Sequence, residues 1–552
     1  MEGRTLLISV NEGESGNANA SSWGPVLTPD GTRVAFVSAA SDLVAGDTNV
    51  FHDVFVRDVA GGTTTLVSIG PFTQAAYTMF ESESPVITPD GRYVAFQSLA
   101  NDLVENDPNA TSDVFVRDLV EGTTQLVSMN QDGTGSAALG GTSQAISGDG
   151  HRVAFQSRSH DLVTIPQLSE GGVFVRDMLV GETRWAGSDR VELRFWLSHE
   201  PVLAEDGSAV VFRAWMPVVT ALFRTDLEAS VTERLDAPMQ GNGDPASFSS
   251  TSASLSADGR RVAFVSNHPG LVPDDVNNLS DVFVRDIVIG ETRLITVNTN
   301  GVSGNGDAIE AAISADGRWV AFTSLAGDLV PADPDRGSSL SRLWHDRDVF
   351  LHDLETGSTI LVSRSGREDR SANGASDQPG ISEDGRFVVY RSFANDLVAG
   401  DDNGQKDVFV YDRLAGFTTL VSASHVSLGS AGGSSHRPLL SAEGSVLAFK
   451  SYASDLIGLD YNDAGDVFWA GVDSPGWLSS FIVDLRAISA DSVTVSWRAT
   501  SGEGYAIEYR DELTAGDWQS LNVAIDYEEG RARAIDVQPP GVKERYYRVT
   551  RE

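Results

Sequence analysis

The sequence predicts an all-β protein: an eight-bladed β-propeller over residues 1–473, closed by its own N-terminal strand, with a small C-terminal β-sandwich-like domain over 474–552. Three observations predict it. An Asp-Gly turn recurs along the chain, each recurrence sits in the same order of strand-like segments, and one copy of that order is split between the two ends. Self-similarity at a fixed period is the mark of a repeat architecture.

The turn stands first at Thr28-Pro29-Asp30-Gly31 and returns at Asp90-Gly91, Asp149-Gly150, Asp206-Gly207, Asp258-Gly259, Asp316-Gly317, Asp384-Gly385 and, as Glu443-Gly444, an eighth time. Most spacings are 57 to 60 residues; the fourth unit is shorter at 52, and the sixth reaches 68 through an insertion around Arg336 to Asp346. In unit one, Pro25-Val26-Leu27-Thr28 enters the turn, a strong hairpin signal. Strand Arg33 to Ser38 follows, then a polar loop from Ala40 to Asp53, then strand Val54 to Arg57. A turn at Gly61-Gly62 leads to a fourth strand, Thr64 to Ser68. The second and third strands are apolar at nearly every position, as strands buried on both faces are. Propeller blades are covered on both faces by their neighbours.

Unit eight has a third strand at Asp466-Val467-Phe468-Trp469 and nothing like Thr-Thr-Leu-Val-Ser after it. The missing strand lies at the other end of the chain, as Thr5-Leu6-Leu7-Ile8-Ser9. Pairing the two closes a circle and removes an exposed edge. After Asp473-Ser474-Pro475-Gly476 the period stops. The tail alternates in Ser492 to Trp497, in Tyr505 to Tyr509 and in Tyr546 to Val549, with Trp497 expected in its core.

Ser256-Ala257-Asp258-Gly259-Arg260-Arg261-Val262-Ala263-Phe264 resembles the WD40-like (PD40) repeat of TolB-type propellers, and the resemblance covers roughly residues 5 to 473. It implies the fold and says little of function. TolB proteins also carry an α/β domain ahead of the propeller, for which this chain leaves no room, so a role in a cell-envelope complex is not carried over. The tail resembles a fibronectin type III module, which implies a spacer or adhesive unit.

Composition narrows the functions. The 552 residues carry a net charge of −38, which repels phosphate backbones and anionic lipid and argues against nucleic-acid or membrane-surface binding. Only three lysines occur, Lys406, Lys450 and Lys543. With no cysteine, disulfides, thiolate metal sites and a Cys nucleophile are excluded. No apolar run reaches the roughly 18 residues that span a bilayer. Met1 to Val10 lacks the long apolar stretch of a signal peptide. The expectation is an extracellular or periplasmic monomer whose signal peptide has been removed, the alternative being a cytoplasmic one.

The most specific polar pattern is Asp-x-Asn-x-x-x-Asp between the second and third strands. It occurs as Asp47, Asn49, Asp53; as Asp107, Asn109, Asp113; as Asp275, Asn277, Asp281; as Asp401, Asn403, Asp407; and as Asp460, Asn462, Asp466. Units three and four lack it, and in unit six Asp333 and Asp335 are separated from Asp348 by the insertion. Oxygen ligands at positions one, three and seven suit a hard cation such as calcium. A carboxylate at position twelve, such as Asp58, is rejected because a strand of about four residues puts it roughly 13 Å beyond Asp53. The other reading makes these residues loop-capping Asx-turns. Two carboxylates per loop without a regular basic partner repel one another, which a cation would relieve, while the absence of a bidentate Glu tells against a strong site. The earlier Asp42, Asp102, Asp328, Asp396 and Asp455 are read as structural.

Catalytic motifs are missing: Gly-x-Ser-x-Gly, the sialidase Asp-box and His-Glu-x-x-His are all absent. The residues entering each first strand vary between units as Glu83, His199, Glu200, Glu310, Asp377, His436 and Arg437. They are expected at the channel mouth, either as a ligand site or as a solvated rim. The leading function is a non-catalytic exported binding or scaffold protein for a protein or carbohydrate ligand. The alternative is a polysaccharide-directed hydrolase or lyase with its site at the channel mouth, and a purely structural cell-surface spacer is a third.

Overall fold

A computed structural model of the chain describes residues 5–45, 47, 49, 51–71, 81–164, 171–187, 197–216, 219–238, 248–331, 347–366, 370–425, 429–458, 460–462, 464–472, 484–489, 492–498, 505–510, 519–528, 531–537 and 546–551. Among them every regular element is a strand, and no helix is long and apolar enough to cross a membrane. Eight four-stranded antiparallel sheets follow one another as the blades of a propeller. In blade one the strands are Ser22–Leu27, Arg33–Ser38, Asp53–Asp58 and Thr63–Leu66, paired in that order.

The Asp-Gly turn is built the same way in most blades. Thr28 Oγ1 donates to Asp30 Oδ1 at 2.6 Å, the amide of Gly31 donates to the carbonyl of Thr28, and Gly31 takes φ +67°. That left-handed conformation is why glycine follows the carboxylate each time. The second and third strands supply the blade core. Each blade holds one pair of rings facing across these two strands, such as Phe36 on Phe55 at 5.7 Å and Tyr390 on Phe409 at 5.7 Å. These four rings are fully buried. Among the described residues of the ring, eight apolar clusters each join one blade to the next.

One of those clusters packs Val446, Ala448 and Trp469 of blade eight against Val34, Phe36 and Phe55 of blade one, so the circle is closed. The closing strand is the N-terminal Thr5–Leu7, paired with Asp466–Gly471 through Thr5 opposite Ala470. Trp469 Nε1 also donates to the carbonyl of Gly31 at 2.9 Å. The registration extends to side chains. In other blades a hydroxyl at the end of the fourth strand donates to the first residue of the third, as Ser68 does to Asp53 at 2.6 Å. In blade eight that hydroxyl is Ser9, donating to Asp466 Oδ1 at 2.6 Å across the join.

The tail forms two sheets. Asp484–Ser489, Ser492–Arg498, Arg531–Val537 and Asp526–Glu528 make one; Gln519–Ser520, Tyr505–Arg510 and Tyr546–Arg551 make the other. Val495 and Ala534 of the first are buried with Tyr505 and Ile507 of the second in one core, which gives the tail its sandwich-like arrangement. The expected boundary at 473/474, the insertion from Arg336 to Asp346 with Asp333 and Asp335, and the side chain of Trp497 lie outside the described residues.

The first strand departs from a regular meander. Its register with the second strand shifts in all eight blades. In six of them a residue of positive φ stands at the shift: Gly24, Ser84, Ser143, Glu200, Gln378 and Arg437, at +51° to +63°. A bulge re-aims the side chain it carries.

Candidate functional site at the channel mouth

Antiparallel order places the start of each first strand, the end of each second and the loop before each third at one end of the ring. The Asp-Gly turns lie at the other. At the first of these ends the innermost strands enclose a cavity of about 800 Å³. The bulges feed it, since Gly24, Ser84, Gln378 and Arg437 all line it, together with Trp23, Glu83 and Glu310. Of the residues expected at the mouth, Glu83, Glu310 and Arg437 therefore face the cavity. His199, Glu200, Asp377 and His436 begin their strands at the same end but do not line it.

Three polar sectors surround the mouth. In the first, between blades one and two, His52 Nδ1 lies 3.4 Å from Glu83 and 3.8 Å from Glu81, with the Trp23 ring perpendicular to the imidazole at 4.7 Å. The ligand atoms of these three lie within 4.8 Å of one another, close enough for a metal ion. Pairing of the imidazole with two partly exposed carboxylates accounts for the cluster without one. In the second sector, in blade four, Arg213 donates to Glu200 at 2.6 Å and His199 lies 3.4 Å from the same carboxylate. Burial lowers the His199 pKa, and the exposed Trp215 ring flanks it.

The third sector spans blades six to eight. Arg391 grips Asp377 with two nitrogens at 2.7 and 2.9 Å, and its Nη1 donates to Nδ1 of His436 at 2.9 Å. A guanidinium has no acceptor, so His436 accepts and is neutral, with its proton on Nε2. Burial and the positive charges of Arg391, Lys406 and Lys450 hold its pKa near about 4. Arg347 lies 3.7 Å from Asp377. Lys406 sits 4.8 Å from the centre of the exposed Phe393 ring, and Lys450 lies 4.4 Å from that of Tyr452, donating to its hydroxyl at 2.8 Å. Glu310 accepts from the amide of Gln378 at 2.9 Å, and burial raises its pKa.

The Asp-x-Asn-x-x-x-Asp loops lie at this same end. Their asparagines make Asx-turns: the Oδ1 of Asn109, Asn277, Asn403 and Asn462 accepts from the amide two residues on, at 2.7 to 2.8 Å. The amide groups tie each loop to the neighbouring segment, as Asn277 Nδ2 does to the carbonyl of Gly304 at 2.8 Å. In two loops Nδ2 also reaches the last carboxylate, Asn49 to Asp53 at 2.7 Å and Asn403 to Asp407 at 2.8 Å. In the closing blade Asn17 bridges Asp460 and Asp466. The loops of blades two and five differ. Oδ1 of Asp107, Oδ2 of Asp113, both oxygens of Asp275 and Oδ2 of Asp281 are buried with no hydrogen bond. Burial, reinforced by the facing Asp107 or Asp275, pushes Asp113 and Asp281 up to about 7. A buried carboxylate oxygen without a donor is costly, and a hard cation meets that need. Asp58 ends the third strand that Asp53 begins, 3.9 Å from Arg33, so it stands away from the loop as expected.

Sequence reasoning centred on the first strands missed the third sector, because Arg391 and Lys450 lie on second strands and Arg347 and Lys406 lie just before third strands. One signal could have found it: two of the chain's three lysines are Lys406 and Lys450.

No protein-family model and no curated protein matches the chain. Among solved structures it is similar to a prolyl endopeptidase at 12% identity, with 81% of this chain and 55% of that chain covered and a TM-score of 0.43. It is similar to oligogalacturonate lyase from Vibrio parahaemolyticus at 10% identity, with 86% and 97% covered and a TM-score of 0.43. TolB from Acinetobacter baumannii is similar at 14% identity, with 78% of each chain covered and a TM-score of 0.29. The chain thus spans about half the length of the peptidase.

Proposed function

We propose that this is a non-catalytic, exported binding or scaffold protein, monomeric, whose recognition surface is the mouth of the propeller. The supporting observation is the bulge. Turn and core positions repeat the same residue types from blade to blade, as Asp-Gly and the paired aromatic rings do. The bulged position instead carries Gly24, Ser84, Ser143, Glu200, Gln378 and Arg437. A left-handed conformation costs a non-glycine residue roughly 1–2 kcal/mol. Ser84, Gln378 and Arg437 carry this strain where they line the cavity, and such strain is the kind kept for recognition. The test is a screen of the whole protein against glycan and peptide arrays, repeated with Trp23→Ala and Gln378→Ala. A ligand whose affinity falls at least about tenfold in either variant, with the melting temperature unchanged, is the expected result. A ligand bound equally well by both variants would place recognition elsewhere.

Calcium in the five loops is part of this reading, with blades two and five supplying the strongest support through their buried, donorless carboxylate oxygens. Lacking a bidentate glutamate, such sites fall in the weak range of extracellular modules, about 0.1–1 mM. They would fill only where calcium is millimolar, which agrees with export.

The polysaccharide-directed hydrolase or lyase is the second reading, favoured by Glu83 and Glu310, which line the cavity together with Trp23. Incubation of the protein with any polysaccharide it binds separates the two. Binding without new chain ends is expected, and their appearance would favour the enzyme.

The tail is read as a fibronectin type III-like spacer. A chain ending at Asp473 should keep the propeller's melting temperature within about 1–2 °C, because the described strands beyond it pair only with one another. Insolubility of that fragment, against a soluble whole chain, would move the boundary.

A further inference from the structure

We infer that the blade-six-to-eight sector of the mouth is an oxyanion-binding subsite, in which Lys406 and Lys450 pair with a carboxylate, sulfate or phosphate group of the ligand. The inference rests on the proposed recognition role of the mouth and gives its ligand a charge. The chain carries 78 acidic against 40 basic residues, and only three of the basic ones are lysines. Two of those lysines, with Arg391 and Arg347, surround His436, Asp377 and the half-buried Glu310, so four cations face two carboxylates.

The geometry says which cations are committed. Asp377 takes two nitrogens of Arg391, and the remaining one is held by His436. Arg391 is thus fixed in place and cannot swing to a ligand. Lys406 and Lys450 instead rest against the rings of Phe393 and Tyr452, which are 44% and 47% exposed. Neither lysine has a carboxylate partner among the described residues. A ring face steadies an ammonium without neutralising it. The positive charges act on one another: burial, Arg391 and Arg347 together lower the Lys406 pKa, with Asp377 opposing. Half-buried cations held against mutual repulsion are relieved by an anion. Lys450 also lies 6.0 Å from the Trp23 ring, which stands between it and the acidic sector of His52, Glu81 and Glu83.

The experiment is calorimetric titration of the full chain with four probes: galacturonate, inorganic sulfate, inorganic phosphate and uncharged galactose. The proteins are the wild type, the double variant Lys406→Met/Lys450→Met and Trp23→Ala. Methionine keeps the stem that packs on each ring, and an unchanged melting temperature checks this. The expected result is binding of at least one anion and not of galactose, weakened by salt. In the double variant that affinity should drop about tenfold or more. Which anion binds best distinguishes an acidic sugar from a sulfated or phosphorylated group. Binding of galactose as tight as galacturonate, or an anion affinity unaltered in the double variant, overturns the inference. If an uncharged ligand is lost in Trp23→Ala and retained in the lysine variant, recognition at the mouth stands and the oxyanion subsite falls. Absence of any anion binding, with an array ligand equally bound by every mouth variant, overturns both.

Discussion

Moving the protein from 1 mM calcium into chelator is expected to lower its melting temperature by several degrees. A ligand bound only by the folded state stabilises it by mass action, and a site of about 0.1 mM affinity at about 1 mM calcium contributes roughly 1.4 kcal/mol. Five loops acting on one cooperative ring multiply that figure. Magnesium should replace calcium poorly, because it keeps its waters and demands a rigid octahedron. Asp275→Asn with Asp281→Asn should remove one site from the calorimetric stoichiometry and leave the other four.

The pH dependence carries a sign. Burial pushes Asp113, Asp281, Asp407 and Asp466 up to about 7, and Asp47 and Asp401 up to about 6. In the unfolded chain an aspartate titrates near about 3.9. Between about pH 4 and 7 the folded, calcium-free protein therefore holds more protons than the unfolded one. Its stability is greatest at the acid end of that window and falls as pH rises to about 7. His352 and His436, both held near about 4, act in the opposite direction up to about pH 6.5 and are two groups against six. Calcium bound as proposed would keep the carboxylates ionised and flatten the slope. Melting curves at pH 5 and pH 8, with and without chelator, check this. No heat of calcium binding, an identical melting curve in chelator and a chelated protein more stable at pH 8 would return all five loops to Asx-turns.

Deletion of residues 1–10 should destabilise the protein by about 5 kcal/mol or more, or cause it to aggregate. It removes the strand Thr5–Leu7, the buried Ile8 and the Ser9 hydroxyl that serves Asp466. The edge of Asp466–Gly471 is then unpaired, and an open edge is a template for association. A synthetic peptide of residues 1–10 should partly restore the melting temperature when added in excess. An unchanged melting temperature in the truncated protein would mean that the ring does not depend on this closure.

The ring was legible in the sequence because its rules are local. Asp30-Gly31 and its copies need a residue of positive φ after a capping carboxylate, and the strands between them are apolar without alternation. The split repeat pointed to the closing strand, down to Ser9 taking the place of Ser68. The bulge was illegible. Ser84, Glu200, Gln378 and Arg437 adopt a backbone conformation that their types do not announce, and only the three-dimensional register with the second strand reveals it. The cationic sector was hidden for a different reason. Its members come from three blades and two strand positions, so no spacing in the sequence joins Arg347 to Lys450.

Hydrogen exchange of the intact protein, free and saturated with its ligand, tests the central claim most directly. If the mouth is the recognition surface, protection should appear at the starts of the first strands, over 22–26, 82–86, 376–379 and 435–439. The Asp-Gly turns at 30–32, 90–92 and 384–386 should be unaffected. Protection confined to those turns, or to the tail, would contradict the account.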